Sequence, residues 1–554
     1  MCLHPRPVDS VPEQTARVAR SAFPDGNPYM RMRDELGTIF EDDQFVGLFP
    51  ERGKPAFSPW RLALVTIMQF SEDLSDRQAA DAVRSRIDWK YALSLELDDP
   101  GFDASILCEF RTRLLENGEE RLLFDALLER FRAMGLVKAR GRQRTDSTHV
   151  LAAARNLERL ELVGEAMRRA LNAMAVAAPG WLRSRARPEW ALRYARPFDD
   201  RWLPKGKEER REEAEQIGAD GFELLVALLE GDAAPAWLKE LPAVETMRMV
   251  WLQNYLLTAE GVRWRTKEEG LPPTAKRLAT PTDPESRGAR RGEISWGGYK
   301  IHLTETCDEG APRIVTHVGT APAPEQDAEA VSPTHEALAA RDLLPALHLV
   351  DGAYMEPRSL LEAHERFGVN LVGPAMRNTG WQAREGNGFD LSSFELDWEK
   401  KEATCPEGKK SMSWKETTRD GRPAVRVRFS RRDCRPCPSR DQCIRREKSA
   451  PFRDLTIRSR EHYEALRLAR ELGLGPDKSR YSGREGIEGT VSRTVRTCGA
   501  RRARYVGLGK VHLQHLLGAA ALNFLRVGEW LAGQQRGAPP RSPFSKLMAS
   551  PAAA

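Results

Sequence analysis

The stretch 346–375, ALHLVDGAYMEPRSLLEAHERFGVNLVGPA, decides the reading of the fold. An apolar run that ends at Asp351 reads as a buried strand, Pro357–Phe367 as a helix, and VNLVGPA as a second strand. Towards the N-terminus a helix is expected at Gln326–Ala340. Before it, RIVTHVGTAPA and WGGYKIHLTET alternate as strands do. Two strands followed by strand–helix–strand alternation describe a mixed α/β sheet. Asp351 then falls at the carboxyl end of a buried strand, where open α/β sheets place their ligand sites.

The remainder of the 554 residues divides around this core. From about Met30 to Leu136 the pattern is helical and well punctuated: Ser58–Pro59 opens WRLALVTIMQF, Ser75 and Gln78 form a capping box, Asp103 caps a helix that Gly118 stops, and Gly135 ends the next. This all-α N-terminal domain (30–136) carries Arg84, Arg86, Lys90, Arg111 and Arg113, which suit either a helix-turn-helix-like DNA contact or an ordinary solvated face. A short strand ending near Asp146 in QRTDSTHV (first core segment 140–156) precedes a helical insertion at 157–270, and 290–379 resumes the core. A Cys-rich β insertion follows at 380–450. A mainly helical C-terminal part of the core spans 451–533, and a Pro-, Ser- and Ala-rich tail, expected to be disordered, spans 534–554. In the C-terminal part, Leu513, Leu516, Leu517, Ala520, Leu522 and Leu525 predict an amphipathic helix packed on the core.

Net charge is only +6, so any nucleic-acid partner must be recognised by local clusters rather than by overall charge. No apolar run of about 18 residues occurs, so no membrane span is expected, and the opening MCLHPRPVDSVPEQ does not read as a secretory signal. The expected location is the cytoplasm, with reduced thiols.

Three carboxylates stand in contexts suited to holding a hard cation: Asp146 in QRTDSTHV, Asp351 in LHLVDGAYMEP and Glu488 in RYSGREGIEGTVSR. Mg²⁺ takes oxygen ligands and needs only a few protein carboxylates. Two such ions about 4 Å apart serve phosphodiester chemistry. No Ser/His/Asp or Cys/His arrangement offers a metal-independent route. Arg493, Arg496, Arg501, Arg502, Arg504 and Lys510 crowd the chain after Glu488 and are expected to bind DNA phosphates. Cys405, Cys434, Cys437 and Cys443 fall in one segment with a strand-like AVRVRF between them. They are read as a structural Zn²⁺ site, or else as four reduced thiols in a small subdomain. His149 reads as a structural histidine beside the strand, Trp296 and Tyr299 as core or sheet-face aromatics, and Trp381 as a candidate to stack on an unpaired base.

Ten segments, among them FSPWRLALVTIMQF, TDSTHVLAA, WGGYKIHLTETCD, HLVDGAY, LVGPAMRNTGWQ, ATCPEGKKS and EGIEGTVSRTVRTCGARRARYVGLGK, resemble the DDE transposases of bacterial insertion sequences, the type often numbered eleven eighty-two. The resemblance covers nearly the whole chain. It implies a ribonuclease-H-like catalytic core with Asp146 on the first strand, Asp351 on the fourth and Glu488 on a late helix. It further implies two Mg²⁺ ions, for which Mn²⁺ can substitute, and double-stranded DNA as partner, both the element's inverted repeats and the target, with a homodimer pairing two ends in a nucleoid-associated complex. The family's signature Tyr-x2-Arg-x3-Glu-x6-Lys is present as Tyr481, Arg484 and Glu488, which join the DNA-binding candidates. Val495 stands where the lysine would be, leaving Arg496 or Lys510 to supply that contact, and Glu485 is a rival third acid. A ribonuclease-H-like nuclease without strand transfer and a non-cleaving DNA-binding descendant are the alternatives.

Overall fold

The computed structural model describes residues 2–198, 203–230, 234–374, 380–386, 388–419, 421–444, 452–474, 481 and 483–533. The expected disordered tail, 534–554, lies outside the described residues.

Five strands form the body of the central sheet: β1 (Arg142–Leu151), β2 (Ile294–Thr306), β3 (Val315–Pro322), β4 (Leu347–Leu349) and β5 (Asn370–Val372). Their order is β3-β2-β1-β4-β5. β2 runs antiparallel to β1 and β3, whereas β1, β4 and β5 are mutually parallel. A sixth strand, Arg287–Arg291, pairs with the start of β2 as a hairpin. Leu349 of β4 and Leu371 and Val372 of β5 are buried, as expected of parallel strands covered on both faces, and Leu347 is half-buried. Four helices matter most here: α1 (Pro59–Ser71), α2 (Pro357–Phe367), α3 (Gly486–Thr497) and α4 (Leu508–Leu531). α2 has the bounds the sequence suggests. The helix expected at Gln326–Ala340 begins instead as a 3₁₀ turn, Asp327–Ala330, before Val331–Ala339 turns α-helical.

β1 is unusually polar for an interior strand. Gln143, Arg144 and Thr145 are each at most 2% exposed, and burial of such groups is tolerable only when they are hydrogen-bonded. Gln143 donates to the Leu343 carbonyl at 2.8 Å and accepts from Thr316 at 2.7 Å. Thr145 Oγ1 lies 2.6 Å from both Thr304 Oγ1 and His348 Nε2.

α4 departs from the amphipathic expectation. Nearly every residue from Val511 to Phe524 is buried, because α4 runs between the sheet at β3 and the N-terminal helices α1 and Leu122–Ala133. A helix covered on all sides is apolar all round rather than striped. Of its two buried amides, Gln514 and Asn523, the latter is consumed by the edge of β3: it donates to the Val315 carbonyl at 2.8 Å and accepts from the Val315 N–H at 2.7 Å. The N-terminal helices therefore share one continuous core with α4 and the sheet.

The segment 160–278 has a core of its own, built on Arg159–Ala177, Lys207–Glu230 and Pro242–Asn254. A hairpin, Tyr255–Thr258 with Gly261–Trp264, stands inside the stretch read as mostly helical. After β5, strands Ser411–Arg419, Arg422–Phe429 and Asp454–Arg458 make a three-stranded antiparallel ribbon with a third small core.

Six histidines line the main core. His348 bridges Thr145 and His335, His302 meets the Tyr354 hydroxyl at 2.8 Å, and Thr320 lies 3.1 Å from His512 and 2.8 Å from His515. Burial lowers the pKa of each: to about 4 for His302, His335 and His512, to about 3 for His515, and well below the ordinary value for His317 and His348. These rings are neutral in the folded chain, so their stabilising contribution is complete above the unfolded pKa near 6.5 and is lost as pH falls towards 4. A group shifted down by two units contributes on the order of 2–3 kcal/mol to that loss. Urea denaturation between pH 7.5 and 4.5 should show stability falling steeply below about pH 6.5; a flat profile would contradict neutral burial.

Candidate active site

The parallel pairing of β1 with β4 sets two acids side by side. Arg144 pairs with Leu349, and Asp146 and Asp351 each lie two residues beyond that pair. Asp351 caps the 3₁₀ turn Gly352–Tyr354, its Oδ1 accepting the Ala353 N–H at 2.8 Å. Asp146 Oδ1 accepts the Ser147 N–H at 2.8 Å. Each carboxylate is thus fixed through one oxygen while the other faces the cleft.

Arg484 occupies the space between the acids. Its Nη2 lies 2.9 Å from Asp146 Oδ2 and 4.0 Å from Asp351 Oδ2, and its Nη1 lies 3.7 Å from Glu488 Oε1. One guanidinium thus links all three predicted acids. Asp146 and Asp351 are sunk in the cleft, with side chains 16% and 21% exposed, and Glu488, at 68%, stands at the rim on the first turn of α3. Burial raises the Asp146 pKa; Arg484 and the Ser147 N–H oppose the shift, and Asp351 and Asp327 add to it. Among the described residues no three His, Cys, Asp or Glu side chains stand close enough to hold one metal ion. The donor set nevertheless fits a hard cation: oxygen ligands on rigid supports, gathered around a positive group. Glu485, the rival acid, belongs to the 3₁₀ turn Gly483–Glu485 that precedes α3.

α3 is held in register by a buried ionic network. Glu305 on β2 is fully buried. Its Oε1 accepts Arg144 Nε at 2.7 Å, and its Oε2 accepts Thr490 Oγ1 at 2.6 Å and Arg526 Nη1 at 2.8 Å. Arg144 Nη1 also donates to the Gly483 carbonyl. The cations hold the Glu305 pKa below its ordinary value despite burial. Gly486 is required where α3 passes this network, because a methyl group there would collide with the Arg144 guanidinium.

Sequence reading missed Asp327. This fourth carboxylate, 10% exposed, accepts Ser147 Oγ at 3.1 Å and Lys300 Nζ at 2.8 Å. Its only sequence signal was a place just past the end of β3, which became meaningful once that strand was known to neighbour the site.

The predicted DNA-binding residues divide. Arg496, Arg502 and Lys510 are exposed. Arg493 is paired with Glu529 at 2.8 Å, and Arg504 with Asp73 while stacked over Phe70. Arg501 donates to His149 at 2.6 Å, and Tyr481 donates to the Val350 carbonyl at 3.1 Å, anchoring the approach to α3 beside Asp351. His149 also lies against Trp296, with ring centroids 5.3 Å apart. Trp296 and Tyr299 are buried, Tyr299 donating to Asp283 at 2.6 Å, and Trp381 is half-buried at the start of a short helix.

The N-terminal cations are largely internal, which removes most of the helix-turn-helix contact set. Lys90 is 2% exposed and donates to the Asp99 carbonyl at 2.8 Å. Arg111 pairs with Asp76 at 2.6 Å and lies over Tyr505. Arg86 pairs with Glu72 at 2.6 Å and with Asp88 at 2.7 Å, and Arg113 stacks on Phe49. Apart from Tyr505, the groups that engage these residues belong to the N-terminal segment itself. Arg84 alone of the five is well exposed, beside Asp81.

Residues 17–113 match a family model described as a transposase domain (DUF772), and residues 404–527 match one described as a transposase DDE domain. No curated protein matches the chain. Glu488 lies inside the second match, while Asp146 and Asp351 lie outside both. The matches support a DDE transposase, an enzyme that processes DNA. A transposase DDE domain implies a ribonuclease-H-like fold, and the mixed sheet agrees with it. Among the described residues no helix is long and apolar enough to cross a membrane.

Glu305→Gln removes the charge that compensates Arg144 and Arg526, and breaking a buried pair from one side costs roughly 3–5 kcal/mol. Urea denaturation should register a loss of that order, and a change within about 0.5 kcal/mol, the usual range for surface substitutions, would show that the network does not hold α3.

Proposed function

We propose that this chain is the transposase of an insertion sequence: it binds the terminal inverted repeats, cleaves the DNA ends by metal-dependent hydrolysis and joins the freed 3′-hydroxyl to target DNA. The observation that carries the reading is the convergence of Asp146, midway along β1, Asp351, just past the carboxyl end of β4, and Glu488, on α3, on one cationic group. In this reading Asp146 and Asp351 hold one Mg²⁺ between them and Glu488 completes the site for a second, with Mn²⁺ able to replace either. Bound there, the ions activate the attacking oxygen and stabilise the leaving one.

The chain's own residues do the positioning. The backbone N–H groups of Ser147 and Ala353 fix the two aspartates, so that their free oxygens need no reorganisation when a cation arrives. Glu488, exposed at the rim, closes the site from α3. Arg484 neutralises the acids in the absence of metal and turns to a DNA phosphate when metal takes its place, a planar fork suited to either partner. Arg496, Arg502 and Lys510 hold the duplex backbone. Pairing of two element ends calls for two copies of the chain, hence a homodimer in the synaptic complex.

The test incubates the purified chain with DNA bearing its element's end, with Mg²⁺ or EDTA, beside Asp351→Asn. Cleavage is expected only with metal and with Asp351 intact, while Asp351→Asn still binds the end. Products joined to target DNA support the transposase; cleavage without joining at paired ends indicates the nuclease alternative, and binding without cleavage the non-cleaving descendant.

Replacing Arg496, Arg502 or Lys510 by Ala should each weaken DNA binding and lower the salt slope of the affinity by about one. Unchanged slopes in all three would place the duplex elsewhere.

A further inference from the structure

We propose that Cys405, Cys434, Cys437 and Cys443 form a tetrathiolate Zn²⁺ site that staples the ribbon module between β5 and α3. All four side chains line a single cavity of about 30 Å³, although as they lie no three of them stand close enough to hold an ion. They come from three separate pieces of chain: a turn, the end of the short helix Arg431–Cys434 with the residues after it, and the short helix Arg440–Cys443.

The turn is shaped for a metal-bound sulfur. Gly408 adopts φ +73°, the Gly408 N–H reaches the Cys405 carbonyl at 2.8 Å, and the Lys409 N–H donates to Cys405 Sγ at 3.3 Å. The Arg453 backbone N–H likewise donates to Cys434. Such N–H groups aimed at sulfur stabilise a thiolate, the form in which cysteine binds metal. Ser439 donates to Glu407 at 2.5 Å, which holds the loop between Cys437 and Cys443 against the Cys405 turn.

The module needs a staple. Its core holds only seven buried apolar residues, among them Phe394, Val427, Phe429 and Ile457, and cores of that size rarely sustain a fold without a metal or cross-links. The four thiols are free of disulfides. Four soft donors with no open position favour Zn²⁺ in a closed structural role. The side chains must draw together on the ion, each releasing its proton to solvent, four per ion bound.

The proposal stands apart from the reaction at Asp146 and Asp351 and is tested without it. Untagged full-length protein, expressed with added zinc, should carry one zinc per chain by elemental analysis. Exchange for Co²⁺ should give the strong sulfur-to-cobalt charge-transfer absorption of a tetrahedral thiolate site. Cys437→Ser should lower zinc content at least tenfold, whereas Cys108→Ser, an exposed cysteine elsewhere, leaves it unchanged. A chain that folds without zinc, with all four thiols open to a thiol reagent, overturns the proposal, as does zinc content unaltered in both Cys405→Ser and Cys437→Ser. Should a variant fail to fold, the wild-type cobalt spectrum still decides, since a spectrum without thiolate charge transfer rejects the site.

Discussion

The buried contact of Arg144 with Glu305 is the constraint on which the placing of β1, α3 and α4 depends. Arg144 sits two residues before Asp146 on β1, Glu305 sits on the antiparallel neighbour, and Thr490 sits two residues after Glu488 on α3. Arg526 brings α4 into the same network. Charges this deeply buried are costly unless every partner is in place. The network is therefore satisfied in only one relative setting of sheet, α3 and α4, and that setting aims Glu488 at the two aspartates. Gly486 belongs to the same constraint, since only a residue without a side chain lets the backbone of α3 pass the guanidinium.

The cleft beside this network is balanced differently. Three carboxylates that converge in a half-buried site repel one another, and Arg484 relieves the repulsion by reaching all three. The negative charge gathered there is met by a single guanidinium. The buried pair at Glu305 is enclosed on every side. Rigid charge beneath the cleft is a physical basis for a site that stays preorganised.

Arginine serves several ends in this chain. Arg86 and Arg111 are paired with acids within the N-terminal helices and Arg493 with one within the C-terminal segment, while Arg504 ties the two regions together through Asp73. Arg496, Arg502 and Lys510 remain exposed. Proximity to Glu488 in sequence did not separate the two groups; what separated them was which side chains found an acid on an adjoining element.

Local signals settled much of this protein in advance. Alternation in WGGYKIHLTET, the apolar run up to Asp351 and the bounds of Pro357–Phe367 report local backbone preference, and all three appear as strands or helix. The same patterns identified the acids worth comparing, because a carboxylate at a strand end is visible in one dimension. Tertiary structure decided what no window of sequence contains. The hairpin at Tyr255–Trp264 interrupts a stretch read as helical, and α4 is enclosed on all sides because α1 and β3 both pack against it. Arg111 was drawn from the surface into the interior by Tyr505, far along the chain. Asp327 joined the site only through Ser147 and Lys300, on two different strands. Periodicity records how a segment would bury itself, whereas the partner that covers it, and the charge it must neutralise, are supplied by residues hundreds of positions away.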